Sequence, residues 1–296
     1  MLLETRIPLR YVLKKVRRDL VFVLLICTLV ELAIHYQRTI LPTLPTAIPA
    51  FLGTAISLLL SFKLNQSYDR WWEARKVWGA IVNDSRTFVR QLLSFGGQHP
   101  DTVRTLGRRQ IAWCYALGQS LRGLDWKVGA AELLDEDEIQ QTSGHANKPL
   151  FLLQLHARDV TALADAGQLT DYQRIALDDT LTRLTDSMGK AERIRGTVFP
   201  RTYRAFLHAF IYLFITALSI ALAEVEGFWQ IAITTSISVP FFLLEKTASH
   251  MQDPFANRPT DTSVTAIART IHINLAQLLG EEDVPAPLAS QGFYIM

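Results

Sequence analysis

Residues that commonly act as nucleophiles, general bases or metal ligands are few and widely spaced in this chain. It has seven histidines and two cysteines, Cys27 and Cys114, at no spacing typical of a metal site or a disulfide framework. No phosphate-binding loop, nucleophile elbow, HExxH or CxxC pattern is present. Four histidines have no nucleophile context in the sequence: His145, His156, His250 and His272. The sequence therefore predicts neither an enzyme nor a metal site, and it indicates no cofactor.

Acidic residues are the remaining candidates for chemistry, as sites that attract cations. The run DEDE at residues 135–138 predicts a solvated helix start, with a cation-attracting patch as the alternative. Glu31 and Glu245 each stand near the end of an apolar run, where a carboxylate is costly unless it faces protein or water. Because Lys246 follows Glu245, we interpret Glu245 as an anchor at the membrane interface. His208 is predicted to form a hydrogen bond between helices.

The composition indicates a protein that lies partly in lipid and partly in water. Of 296 residues, 49% are hydrophobic and 20% are charged, and the mean hydropathy is +0.15. These values are too apolar for an ordinary soluble enzyme and too charged for a protein wholly within the membrane. The net charge of +2 indicates no nucleic-acid partner.

Four apolar runs are long enough, or nearly so, to cross the hydrocarbon layer, which takes about 20 helical residues. Basic residues precede the first run, so the positive-inside rule places the N-terminus in the cytoplasm, and four crossings return the chain there. We therefore expect a multi-pass inner-membrane protein in contact with the lipid bilayer. The basic residues are Arg6, Arg10, Lys14, Lys15, Arg17 and Arg18. The predicted regions are a cytoplasmic N-terminal helix with spans one and two (1–62), a cytoplasmic helical region (63–205), spans three and four (206–245) and a cytoplasmic tail (246–296).

No glycine or proline separates the second apolar run from the charged, tryptophan-rich stretch that follows it. Between Pro49 and Gly79 the only glycine or proline is Gly53, which predicts one continuous helix. About 30 residues at 1.5 Å each reach about 45 Å, so the helix must extend beyond the hydrocarbon layer.

Two stripes of residues recur every four positions along this helix. One holds small residues for close helix contact, and its neighbour is mostly apolar. Periodicity alone favours packing of both stripes in a four-helix bundle, and the alternative is a pore lined by copies of the second stripe, gated by dewetting. The small stripe is Gly53, Ser57 and Ser61, and the second is Thr54, Leu58 and Phe62.

Two stretches of the chain resemble the bestrophin family, in particular its prokaryotic branch. They are SFKLNQSYDRWWEARKVWGAIVNDSR from residue 61 and MQDPFANRPTDTSVTAIARTIHINLAQLLGE over 251–281. The resemblance covers most of the chain. It implies an all-α fold in which four transmembrane helices are continuous with a cytoplasmic helical bundle, and a homopentamer around a central pore.

The resemblance also implies roles for individual residues. The three positions of the narrow pore neck fall on Thr54, Leu58 and Phe62, and the threonine departs from the bulky residue usual in the family. A second constriction at the cytoplasmic exit falls near Tyr172 to Ile175, although a buried bundle contact is the favoured interpretation for either residue alone. The tryptophans after Arg70 are predicted to pack between subunits, with an interfacial belt as the alternative. They are Trp71, Trp72 and Trp78.

The calcium clasp of eukaryotic members is degenerate in this sequence. The matching run extends from Asp253 to Asp261, and Arg258 stands where an acidic ligand is expected. A cation beside Ca²⁺ disfavours binding. We therefore expect no calcium activation, and we expect the two aspartates to cap turns and pair with basic residues.

The function expected from these features is passive conduction of small monovalent ions. Apolar rings carry no formal charge, so they do not select the sign of the ion. The missing clasp and the prokaryotic motifs favour cations, with an anion-selective channel as the alternative. A non-conducting helical scaffold anchored in the membrane is the competing hypothesis, and ion flux into liposomes separates it from a channel.

Overall fold

The computed structural model describes residues 8–36, 43–96, 99–197, 201–225, 227–290 and 292–295. Arg6, which contributed to the predicted orientation, lies outside these residues. Within them the elements of secondary structure are helical, as predicted. The helices are α1 (Leu9–Tyr36), α2 (Ala47–Phe95), α3 (Pro100–Arg122), α4 (Glu136–Ser143), α5 (Lys148–Asp165), α6 (Asp171–Gly196), α7 (Arg201–Ala221), α8 (Gly227–Met251) and α9 (Val264–Leu278), with a 3₁₀ turn at Ala131–Leu133.

Four helices, α1, α2, α7 and α8, are long and apolar enough to cross a membrane by length and composition. The continuous second helix is confirmed, since α2 extends for 49 residues. The first helix is longer than its apolar run, because no glycine or proline separates the basic segment before it from the span.

The chain divides into two compact units. The membrane unit comprises Thr5–Arg70 and Val198–Gln252, and the bundle unit comprises Trp71–Thr197 and Asp253–Met296. The division falls within α2, after Arg70.

In the membrane unit, α1, α7 and α8 pack against one another around a core of aliphatic and aromatic side chains. Two polar residues of α8, Thr234 and Ser238, are fully buried, whereas Ser236 is exposed. Ser238 donates its hydroxyl to the Thr234 carbonyl oxygen at 2.6 Å, so burial leaves that donor satisfied.

The bundle unit has a larger core built from α3, α5, α6, α9 and the end of α2. Trp78 is fully buried in this core, and a Cβ on Gly118 would lie 3.5 Å from its ring. The prediction that Trp78 packs between subunits is therefore wrong. The sequence showed an aromatic cluster but not which of its members faces inward.

The acidic run at residues 135–138 is the start of α4, as predicted, but one of its members is not solvated. Asp135 caps the helix by accepting a hydrogen bond from the Glu138 backbone N–H at 2.7 Å. Glu138 itself is buried and forms an ion pair with Arg109, which also contacts Asp159 at 2.7 Å. A buried arginine needs carboxylate partners, and this requirement removes Glu138 from the surface.

His156 is fully buried in the bundle unit, 4.9 Å from the Phe88 ring centroid, and neither of its nitrogens has a hydrogen-bond partner among the described residues. Burial, and secondarily the Arg109 charge, lowers the pKa of His156 well below 6.5. The unfolded chain therefore binds a proton near pH 6.5 that the folded chain excludes.

We expect the bundle unit to lose stability as pH falls through about 6.5, by about 1.4 kcal/mol per pH unit from this residue alone. Thermal unfolding of the purified protein between neutral and mildly acidic pH measures the effect. His156→Leu should flatten the pH dependence, whereas His145→Leu, at an exposed position, should leave it unchanged. An equal slope in the His156 variant and the wild type would contradict the assignment.

Candidate functional site

Thr54, Leu58 and Phe62 form an exposed strip on α2, in the membrane unit. The exposed fractions of Leu58 and Phe62 are 58% and 56%. Because the three residues recur every four positions, they lie on one face of the helix. We call this face the α2 strip. Large apolar side chains at this exposure indicate a surface that needs lipid or another copy of the chain to cover it.

The opposite side of α2 fixes the direction in which the strip faces. Ile56 and Leu60 are buried in the same apolar cluster as Ile211 and Phe214 of α7. Gly53 permits this close packing, because a Cβ at that position would lie 3.3 Å from the Phe214 ring. Rotation of α2 about its axis would expose these buried side chains, so the strip stays outward.

The hydroxyl groups near the strip are satisfied within α2 itself. Thr54 donates its hydroxyl to the Ala50 carbonyl oxygen at 3.0 Å, and Ser57 donates to the Gly53 carbonyl oxygen at 2.8 Å. A hydroxyl bonded to its own helix offers little to a hydrated ion. The strip is therefore effectively apolar even at Thr54, while Ser57 and Ser61 form the exposed neighbouring stripe.

A buried ion pair links α2 to α8 at the residue that follows the α2 strip. Lys63 Nζ lies 2.8 Å from Glu245 Oε1, and both side chains are fully buried. Ser249 donates its hydroxyl to the same oxygen at 2.6 Å. The interpretation of Glu245 as an interfacial anchor is therefore wrong, because its charge is held inside the membrane unit. A lysine directly after an apolar run was the available signal, since it needs a carboxylate from another span.

Two further basic side chains, His208 and Arg204, lie near the Glu245 carboxylate. Its Oε2 lies 3.3 Å from His208 Nε2, so His208 contacts another helix, but that oxygen accepts no hydrogen bond among the described residues and the predicted hydrogen bond is not confirmed. The Nε of Arg204 lies 3.7 Å from Glu245 Oε1. The carboxylate therefore lies close to three basic side chains, Lys63, Arg204 and His208.

The residues that follow on α2 contact backbone carbonyls rather than solvent alone. Arg70 donates from Nε to the Gln252 carbonyl oxygen at 2.9 Å within the membrane unit. Trp71 donates from Nε1 to the Thr260 carbonyl oxygen at 3.1 Å within the bundle unit. Trp72 is 46% exposed, and its ring centroid lies 6.3 Å from that of Trp71. Packing of these residues against another subunit stays a prediction.

Tyr172 and Ile175 lie in the first two turns of α6, whose N-terminus is capped by Thr170. Their exposed fractions are 87% and 51%, so the interpretation of either residue as a buried bundle contact is wrong. Asp179 and Asp186 are also exposed and follow Ile175 by four and eleven residues, a helical spacing that puts them on the same face. An acidic face therefore adjoins the residues predicted for the exit constriction.

In the degenerate clasp, an aspartate side chain hydrogen-bonds to the backbone of the same segment. Asp261 is 1% exposed, and its Oδ2 accepts a hydrogen bond from the Arg258 backbone N–H at 2.9 Å, so its predicted turn-capping role is confirmed. Burial raises the pKa of Asp261 to about 6. Among the described residues no group of three or more His, Cys, Asp or Glu side chains is placed to hold a metal ion, Asp253 included. Calcium independence stays a prediction, which ion flux with and without added Ca²⁺ tests.

The chain was compared with known families and proteins. The family described as bacterial/fungal bestrophin protein matches residues 6–277. The voltage-dependent anion channel-forming protein mll4386 of Mesorhizobium japonicum is 31% identical over 242 residues, which cover 82% of this chain and 77% of the relative. The protein YneE of Escherichia coli, which has the same descriptive name, is 30% identical over 247 residues, covering 83% and 80%. The crystal structure of a bacterial bestrophin homologue from Klebsiella pneumoniae superposes with a TM-score of 0.85 at 27% identity, covering 90% of this chain and 100% of the other.

Proposed function

The chain belongs to the bacterial/fungal bestrophin family, and on that premise we propose that it is an ion channel in which copies of the chain surround a pore lined by the α2 strip. The strip carries this proposal, because it is an apolar surface held outward by a packed opposite face. Symmetry-related copies of one strip meet around an axis and form stacked apolar rings. Such rings form a neck that dewetting closes to hydrated ions.

The assembly proposed is a homopentamer, as the resemblance implies, with the lipid bilayer around it and permeant monovalent ions within it. Its place is the bacterial inner membrane, with both termini in the cytoplasm. The basic N-terminal part of α1 supports this orientation through the positive-inside rule. A C-terminal reporter enzyme active only in the periplasm should give no signal, and a signal would reverse the orientation.

Two observations favour different signs of selectivity. Asp179 and Asp186, beside the predicted exit constriction, support the cation preference, because carboxylates raise the local concentration of cations. The names of the relatives support the alternative, an anion-selective channel. No comparison supports cations.

The sign of selectivity is tested by reversal potentials of the purified protein in planar bilayers under a KCl gradient. We expect a reversal potential displaced towards the K⁺ equilibrium potential. Asp179→Asn should move it towards the Cl⁻ value, because it removes a carboxylate from the exposed face of α6. Asp101→Asn, at an exposed position in the first turn of α3, should change nothing.

A reversal potential near that of Cl⁻ in the wild type would replace the cation proposal with the anionic alternative. An unchanged reversal potential in Asp179→Asn would remove that residue from the ion path. Absence of any current from reconstituted protein would contradict conduction itself and favour the membrane-anchored scaffold.

A further inference from the structure

A basic cavity in the membrane unit has no role in the proposed ion path. Its volume is about 720 Å³, and side chains from α1, α7 and α8 line it. Three of them are cationic, Arg18, Arg204 and Lys246, and the carboxylate that lines the cavity with them is Asp19. With His208 counted as neutral, three cations against one carboxylate leave an excess of two positive charges.

Contacts within the cavity neutralise only a small part of this positive charge. Asp19 Oδ2 lies 3.2 Å from Lys246 Nζ, so that carboxylate offsets the lysine. The charge of Glu245 is matched by the buried Lys63, which leaves Arg204 only a long contact of 3.7 Å to it. Arg18 forms no ion pair with a carboxylate among the described residues, and its guanidinium lies 6.0 Å from the Phe22 ring.

The hydrogen-bond donors that line the cavity indicate which anion it binds. Two guanidinium groups, from Arg18 and Arg204, provide the planar donor sets that bind phosphate oxygens in pairs. The Tyr212 hydroxyl also lines the cavity and lies 3.4 Å from Asp19. A phosphate group bound here would share the cavity with two guanidinium groups and one ammonium group. Its negative charge would balance their excess positive charge.

An apolar track leads away from the cavity along α1. Phe22 lines the cavity, and Leu25 and Leu29 follow on the same helical face, with exposed fractions of 45%, 53% and 57%. The cavity lies where α1 passes from basic residues to a continuous apolar run, which is the depth of lipid headgroups. A headgroup in the cavity would place its acyl chains along this track.

We propose that this cavity binds the phosphate group of an anionic phospholipid. Basic pockets between membrane helices recognise such headgroups through charge and donor geometry. The apolar track favours a lipid over free phosphate, because a free ion would make no use of it. The inference does not depend on ion conduction.

The test uses the full-length protein in nanodiscs of phosphatidylcholine with a minor fraction of phosphatidylglycerol, followed by detergent extraction and native mass spectrometry. The wild type should retain phosphatidylglycerol. The double variant Arg18→Gln/Arg204→Gln should bind it at least about tenfold more weakly, because it removes the two guanidinium groups that donate to the phosphate within the cavity. The control Arg10→Gln/Arg17→Gln removes the same charge from exposed positions on α1 outside the cavity and should retain the lipid.

Further outcomes decide the proposal. Arg18→Lys/Arg204→Lys keeps the charge but loses the paired donors, so it should bind more tightly than the glutamine double variant and more weakly than the wild type, which separates lost recognition from lost folding. Equal loss of lipid in the control double variant would overturn the cavity as the site. A thermal shift caused by inorganic phosphate, with no retained phosphatidylglycerol, would overturn the assignment to a lipid. Retention that does not differ between phosphatidylglycerol and phosphatidylcholine would overturn recognition of an anionic headgroup.

Discussion

Replacing Glu245 with glutamine is expected to lower the free energy of unfolding by about 3–5 kcal/mol. The substitution keeps the shape of the side chain but leaves the ammonium of Lys63 buried without a counter-charge. Lys63→Met should cost less, because Arg204 and His208 still face the remaining carboxylate. The double variant Lys63→Met/Glu245→Leu should recover much of the loss, since an apolar pair needs no charge compensation.

Denaturant unfolding of the detergent-solubilised protein measures these differences. The matched control is Glu73→Gln, which removes a carboxylate that also lies 2.8 Å from a lysine, Lys76, on the same helix as Lys63. Both control side chains are substantially exposed, so this change should cost no more than about 1 kcal/mol. A cost for Glu245→Gln as small as that of the control would show that water reaches the Lys63–Glu245 pair.

Truncating the α2 strip is expected to raise single-channel conductance several-fold. Leu58→Ala and Phe62→Ala each remove a large apolar side chain from every copy around the axis, which widens the neck and makes its wetting easier. Because both side chains are more than half exposed in the single chain, their truncation opens no cavity within its core. The fold of the subunit should therefore be retained.

Planar bilayer recordings of each variant measure this effect. Leu24→Ala is the control, because it truncates an exposed side chain (45%) on α1, away from the strip and outside the proposed lipid track. Its conductance should equal that of the wild type. Unchanged conductance in both strip variants would remove the strip from the narrowest part of the pathway and return it to helix packing or lipid contact.

Much of the helical architecture follows from local sequence. The absence of glycine and proline between Gly53 and Gly79 predicted the continuous α2. Hydropathy predicted four membrane helices because a span is a property of one continuous stretch of residues.

The candidate site was less predictable, because its contacts join residues far apart in the sequence. Glu245 was interpreted from its neighbour Lys246, yet adjacent residues on a helix do not face each other, and its partner lies 182 residues away. Trp78 and Glu138 were likewise predicted to lie at surfaces, but tertiary packing buries both side chains. The outward direction of the α2 strip depends on α7, which the periodicity of α2 alone does not reveal.

The most direct test of the α2 strip as an ion pathway is block by a charged, water-soluble thiol reagent. The wild type is a suitable background, because its two cysteines, Cys27 and Cys114, are fully buried. Burial also raises the pKa of Cys114 to about 12, which keeps it as an unreactive thiol. We expect the current through Leu58→Cys channels to fall when the reagent is added, while the currents of the wild type and of Leu24→Cys stay unchanged. Conducting Leu58→Cys channels whose current the reagent leaves unchanged would contradict it.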